Sequence, residues 1–254
     1  MPDTTNLEPP EKFGARARIL RTAHDLFYRD GVRSTGVDTL IATAGVTKVT
    51  FYRHFPSKDD LILAFLNYRH ELWMAWFVDA LARHRRAQTR AQRERSPLAP
   101  AALALAEWIR DPAFRGCAFI NIVAEFGDHF PRAVEIAVAH KRGMTTAIAN
   151  LLDSTAGAQA LARATAIAID GAIVRAQVDD ESASVALAGL NDLLDALTAS
   201  RKTPRSRVAK PRGQPAAPRR SASSAQRSLD MRQSAEPEPT ETDPGDPRRA
   251  GRRP

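Results

Sequence analysis

Apolar residues recur along this chain at helical spacing. Val37, Leu40, Ile41 and Ala44 fall at i, i+3, i+4 and i+7, one stripe of a short helix. Gly45 follows directly, where a helix end commonly needs a residue tolerant of φ > 0. Thr47 is then suited to cap a new helix, because its hydroxyl can accept an orphan N–H of the first turn. In that second helix Phe51 and Phe55 stand four apart and face inward together, which leaves Lys48, Val49, Thr50, Tyr52, Arg53 and His54 for the other faces. Pro56 stops the helix. Ser57 opens another, with Asp60 as the acidic member of a capping-box-like pair. The pattern over about 35–54 predicts two short helices joined by a glycine turn, the second presenting polar and basic side chains to a DNA major groove.

Helical periodicity extends both ways from this unit. Phe13, Ala17, Leu20 and Phe27, widened by Ile19, Ala23 and Leu26, predict a supporting helix over 12–29 that ends at Asp30-Gly31. Residues 58–86 carry Leu61, Phe65, Leu66, Trp73, Trp76, Phe77 and Leu81 along one long amphipathic helix. Its far end runs into a charged stretch, Arg83 to Arg95, expected as a loop. Helical patterns resume at about 98–110, 113–127, 131–152, 157–178 and 182–199, with breaks at Asp111-Pro112, Gly127-Asp128, Ser154 and Asp179-Asp180-Glu181. No alternating pattern is long enough for a strand, so the expected fold class is all-α.

Charge divides the chain differently from its headline value. The net +8 belongs wholly to residues 201–254, which hold 14 basic and 6 acidic side chains, while residues 1–200 balance. Between Lys12 and Lys58 nine Lys/Arg face three acids, the local excess that a phosphate-facing module needs. Past residue 96 and up to 200 the balance reverses to seven basic against twelve acidic. Residues 201–254 carry nine of the 17 prolines and only Val208, Leu229 and Met231 as sizeable apolar residues, which predicts a disordered basic tail. That tail could coat DNA nonspecifically or stay solvated. Asp3, Glu8 and Glu11 argue against a signal peptide, and no run of about 18 uncharged apolar residues suggests a membrane span. Cys117 stands alone, which fits a reducing cytoplasm.

Residues 12–72 resemble the N-terminal DNA-binding domain of the TetR/AcrR family of bacterial transcriptional regulators. The resemblance is carried by Ile19-Leu20, Ala23, Leu26-Phe27 and Gly31, then Leu40-Ile41 and Ala44-Gly45-Val46, then Thr50 to Phe55 and Ser57 to Leu61. It implies that Lys48 and Val49 approach base edges and that Thr50, Tyr52, His54 and Lys58 hold phosphates, with Thr47 at the helix start. Where the family often has a capping threonine for the second helix, this chain has Gly36, preceded by Ser34-Thr35. The resemblance further implies about nine helices, a ligand-binding and dimerisation domain over 73–200, and a homodimer formed through about 157–199. Such a dimer sets two recognition helices about one DNA turn (~34 Å) apart on a near-palindromic operator.

The regulatory half offers candidates of a softer kind. Asn121 and Glu125 lie four apart beside Phe119, Ile122 and Phe126, a segment that resembles the helix bordering the ligand cavity in one branch of the family. A few polar groups among aromatics suit a small-molecule pocket, with Trp73, Phe77 and Trp108 as walls, and equally suit a helix whose polar residues meet backbone or solvent. Glu125, Asp128, His129 and His140 match no metal-ligand spacing, so no metal or cofactor is expected. Cys117 reads as a packed thiol. No acid–base pair, nucleophile constellation or Gly-rich phosphate loop supports an enzyme. The leading expectation is a homodimeric DNA-binding repressor released by a small-molecule effector; the alternative is a DNA-coating protein whose affinity comes from the tail.

Overall fold

The computed structural model describes residues 14–152, 157–178 and 180–202; Lys12, Phe13 and the expected tail beyond Lys202 lie outside them. The described residues form ten α-helices in the order α1 (Ala15–Asp30), α2 (Val37–Ala44), α3 (Lys48–His54), α4 (Lys58–Ala87), α5 (Arg90–Arg95), α6 (Ala99–Ile109), α7 (Ala118–Phe126), α8 (Pro131–Ala149), α9 (Ala158–Ala176) and α10 (Asp180–Lys202). A 3-10 turn, Gly127–His129, joins α7 to α8. No strand occurs among the described residues.

The long helix α4 organises the rest. Its thirty residues span ~45 Å at 1.5 Å per residue. The Ser57 hydroxyl accepts the Asp60 N–H at 3.0 Å to start it. The Asp60 carboxylate accepts a hydrogen bond from the Ser57 hydroxyl at 2.7 Å rather than reaching back to the backbone. Near its start Leu61 and Phe65 are buried against α1, with the Phe27 and Phe65 rings 5.4 Å apart. Farther along, Trp73 stacks on Phe77 at 4.6 Å and meets Trp108 of α6 at 5.5 Å. α4 therefore packs against α1 at one end and against α6 and α8 at the other, while α9 is packed between α8 and α10.

Two segments differ from their sequence pattern. The charged stretch expected as a loop contains the short helix α5. Thr89 and Gln92 form a full capping box there, and Arg90 pairs with Glu94 at 2.9 Å, so local bonds order a helix that buries no residue. The helix expected from 113 begins only at Ala118. The Asp111 carboxylate accepts the Ala113 N–H at 2.9 Å, which starts a turn, and Gly116 sits at φ +78°, a conformation no helix contains. One face of α9, including Leu161, Ala162, Thr165, Ile169 and Ile173, is buried within the chain. Different side chains point outward. Ile167 is 72% exposed, Val174 50%, Val185 56% and Leu193 47%.

Candidate nucleic-acid interface

The turn between α2 and α3 is built from local bonds. Gly45 adopts φ 60°, ψ 46°, which a residue with a Cβ resists, and its N–H and that of Val46 close on the carbonyls of Ala42 and Ile41. Thr47 Oγ1 then accepts the Thr50 N–H at 3.1 Å and lies 2.9 Å from the Thr50 hydroxyl. Phe51 and Phe55 are buried, 0% and 2% exposed, and fix the rotation of α3. That rotation turns Lys48, Val49, Tyr52 and Arg53 to solvent, with Val49 70% exposed. Thr50 and His54 are half-buried at the flanks.

α1 braces this unit. The Arg16 guanidinium lies 5.1 Å from the Phe55 ring centre, and Arg18 Nε donates to the Ala44 carbonyl at 3.4 Å, the end of α2. Gly36 caps α2 without a side-chain bond, and Asp38 supplies a carboxylate to the first turn, where the helix dipole favours it. Thr35 is 4% exposed and spends its hydroxyl on the Gly31 carbonyl at 2.8 Å. Of the seven expected DNA residues, six lie on α3 or its cap. Lys58 stands apart, because its ammonium donates to the Val32 carbonyl at 2.7 Å. Burial pulls its pKa down, against the opposing pull of Glu125 and Asp59.

The six expected cavity residues do not converge. Trp73, Phe77 and Trp108 are packed into one another in the interior, and the buried Trp73 indole N–H has no partner among the described residues. Phe119 stacks on His140 at 3.8 Å and borders a groove of about 740 Å³ on α7, α8 and α9. Asn121 and Glu125 face the other way, toward the α1–α2 turn, lining a cavity of about 270 Å³ with Tyr28 and Gly31. Glu125 Oε2 accepts the Arg33 N–H at 3.1 Å, and Asn121 Nδ2 donates to the Arg115 carbonyl at 3.3 Å.

A second clasp joins the same two parts. The Tyr28 hydroxyl donates to the Gly116 carbonyl and accepts the Arg115 N–H, both at 3.0 Å. Burial raises the Tyr28 pKa, so the phenol keeps the proton it donates. Arg69, 2% exposed, lays its guanidinium 3.7 Å from the Tyr28 ring centre. Its Nη1 lies 3.2 Å from His24 Nε2, and since guanidinium only donates, Nε2 is the acceptor and His24 Nδ1 carries the proton given to Asp25 at 2.9 Å. Sequence reasoning missed Arg69. Its signal was present, since 61, 65, 69, 73 and 77 read Leu, Phe, Arg, Trp, Phe, a lone charge on an apolar stripe. Cys117 also has an unforeseen neighbour, the Lys141 ammonium 3.5 Å from its sulfur, itself paired with Asp170 at 2.6 Å. Among the described residues no group of three or more His, Cys, Asp or Glu side chains could hold a metal.

Known proteins share this arrangement. The family described as "Bacterial regulatory proteins, tetR family" matches residues 19–65, from α1 into α4. The HTH-type transcriptional regulator YuxN of Bacillus subtilis is 40% identical over 53 residues, 21% of this chain and 18% of that protein. The HTH-type transcriptional regulator TtgR of Pseudomonas putida is 39% identical over 56 residues, 22% of this chain and 27% of that protein. The chain thus aligns with less than a third of either regulator's length. A longer likeness is to the crystal structure of SCO4454, a TetR-family transcriptional regulator from Streptomyces coelicolor. It is 30% identical with a TM-score of 0.59, and the match covers 72% of this chain and 96% of that one.

Proposed function

Because this chain belongs to the TetR family of bacterial regulatory proteins, we propose that it is a sequence-specific transcriptional regulator, a homodimeric repressor that a small-molecule effector releases from a near-palindromic operator. The observation that carries the reading is the presentation of α3. Two buried phenylalanines fix its rotation, and Lys48, Val49, Tyr52 and Arg53 stand exposed on the other side. In this reading Lys48 and Val49 meet base edges, while Thr47, Thr50, Tyr52 and His54 hold phosphates. Lys58 acts indirectly, by fixing the α1–α2 turn through Val32. The reader comprises residues 12–72 and the regulatory body residues 73–200.

Dimerisation is supported by the outward apolar side chains of α9 and α10. Ile167, Gly171 and Val174 follow one another at helical spacing on α9, as do Val185, Gly189 and Leu193 on α10. Nothing lies within 4 Å of where a Cβ would stand on either glycine, so a second pair of helices could approach closely. Effector control is supported by the two clasps from the body onto α1 and the turn after it. A ligand favouring another position of α7 would shift the reader only through its differential affinity for the two arrangements. No described helix is long and apolar enough to cross a membrane, and the reading places the regulator in the cytoplasm with its DNA. An enzyme reading has no place in a family of DNA-binding regulators.

Selection of DNA bound by the full chain from a random pool tests the proposal. A near-palindromic consensus is the expected result. A pool with no enriched sequence removes the operator-binding reading.

A further inference from the structure

We propose that the groove on α7, α8 and α9 is a binding site for an amphipathic carboxylate, an apolar body bearing one anionic head. This deepens the effector reading above and rests on it for its consequence, though not for the binding itself.

The groove encloses about 740 Å³, within the size range of small-molecule sites. Its walls are apolar. Phe119 forms part of the lining, held in place by its stack on His140, and Val123 and Val138 line it while remaining 40% and 42% exposed. Apolar side chains left this open along a concave surface are worth covering, since burying them contributes ~25 cal/mol per Å².

The charge along the groove has one sign. Lys141, Arg142 and Arg163 line it, with no acidic side chain in the lining. Lys141 is already neutralised by Asp170 at 2.6 Å. Arg142 and Arg163 make no side-chain hydrogen bond or ion pair among the described residues, and they come from α8 and α9 respectively. The two threonines of the lining are spent, Thr145 donating to the Lys141 carbonyl at 2.9 Å and Thr146 to the Arg142 carbonyl at 3.0 Å. The charged donors left for a ligand head are thus two guanidiniums, whose planar forks match a carboxylate, with the neutral Gln159 amide beside them. An apolar trough with two uncompensated arginines selects an anion with a hydrocarbon body and rejects the corresponding cation.

The location also has a consequence. Phe119 and Val123 face the groove, whereas Asn121 and Glu125 of the same nine-residue helix face the α1–α2 turn. Anything that displaces α7 from α8 acts on the Glu125 bond to Arg33 at the other side.

Isothermal titration of the full chain with decanoate, and separately with decylamine, tests the site. Decanoate is expected to bind and decylamine to bind much more weakly. Arg142 and Arg163 are exposed, so the double variant R142Q/R163Q is expected to fold, and to weaken decanoate about tenfold or more as charge-assisted bonds are lost. Absence of decanoate binding, equal binding of decylamine, or an unchanged affinity in the double variant would each overturn the proposal. So would decanoate binding that emerges only when Ile167→Asp dissociates a dimer, because the groove would then be covered by a second copy. Operator affinity measured with and without decanoate separates the two readings. Decanoate that binds the groove and leaves operator affinity unchanged upholds the site and removes its effector role.

Discussion

α3 and α7 are short helices built on the same plan, with aromatic residues turned inward and polar residues outward, yet their polar side chains have opposite fates. On α3, Lys48, Tyr52, Arg53 and His54 make no side-chain hydrogen bond or ion pair among the described residues. On α7, Asn121 is bonded to the Arg115 carbonyl and Glu125 to the Arg33 N–H. A polar group already bonded inside the protein holds a position, and offering it to a ligand costs that bond. A solvated group on a rigid helix can meet a partner with little to give up beyond its water and rotamer freedom. On the proposed reading, α3 is the helix that recognises and α7 the one that transmits.

The largest test of the comparison sets the buried side of α3 against its exposed side. Phe51→Ala should destabilise the protein by roughly 3–5 kcal/mol, the usual range for a fully buried phenylalanine, read by chemical denaturation. Lys48→Ala should leave stability within about 0.5 kcal/mol, as surface substitutions do. It should still weaken operator binding by about 1–3 kcal/mol and relax the sequence preference at the base pair it meets. A Lys48 variant that lost stability and kept its DNA affinity would reverse the roles assigned to the two faces.

Next in size is the clasp between α1 and the body. Tyr28→Phe deletes one hydroxyl that serves both the Gly116 carbonyl and the Arg115 N–H, so two backbone groups lose their partner. The expected cost is about 0.5–1.5 kcal/mol, the usual net worth of such bonds, because the Gly116 carbonyl is only part-buried and the Arg115 N–H is exposed. If the clasp also carries the signal, the variant should bind operator with altered response to any effector. Unchanged stability would mean that water replaces the phenol and the clasp holds little.

A pH experiment isolates a third element. His140 is 1% exposed, stacked on Phe119 and edge-on to Trp73, with His70 Nδ1 3.2 Å from its own Nδ1. Burial first, then the charges of Lys141, His70 and Arg69, pushes its pKa down to about 2. A depressed folded pKa means that the unfolded chain takes up the proton first, near pH 6.5. The stability from this group is therefore complete above about pH 6.5, and falls by roughly 1.4 kcal/mol per pH unit as the medium is acidified below it. His140→Phe should remove that component, so the difference between wild type and variant should narrow steadily from pH 6.5 to pH 5. Parallel stability curves would show that His140 is not held neutral.

These elements were unequally visible in the sequence, for a physical reason. The α2–α3 unit is specified by neighbours. Gly45 at the αL position, the Thr47 cap and the Phe51/Phe55 pair act within a few residues of one another, so spacing alone exposed them. The clasps join residues 88 and 92 positions apart, and no local pattern pairs Tyr28 with Gly116 or Arg33 with Glu125. Asn121 and Glu125 were therefore legible as polar residues on an apolar helix, but not as bonds to another element. Apolar spacing that continues through Phe114 predicts too early a start for α7, whereas Asp111 and Gly116 set the backbone otherwise. α5 had the opposite fault, a Thr89–Gln92 capping box hidden by its run of arginines.

The smallest effect concerns the one weak point in the legible unit. Gly36 begins α2 with no side-chain cap, although its φ of −77° and ψ of 155° suit any residue. A Cβ there would meet nothing nearer than the Thr39 hydroxyl at 3.8 Å, an ordinary contact. Gly36→Ser should therefore add a hydroxyl acceptor for an orphan N–H of the first turn, worth a few tenths of a kcal/mol over glycine. In a chain of this size that is a rise in melting temperature of about 1 °C. Operator affinity should stay the same if Gly36 is only an unfilled cap. A measurable loss of affinity with the rise in stability would instead show that the bare backbone at Gly36 approaches a phosphate, and would extend the recognition surface from α3 to the start of α2.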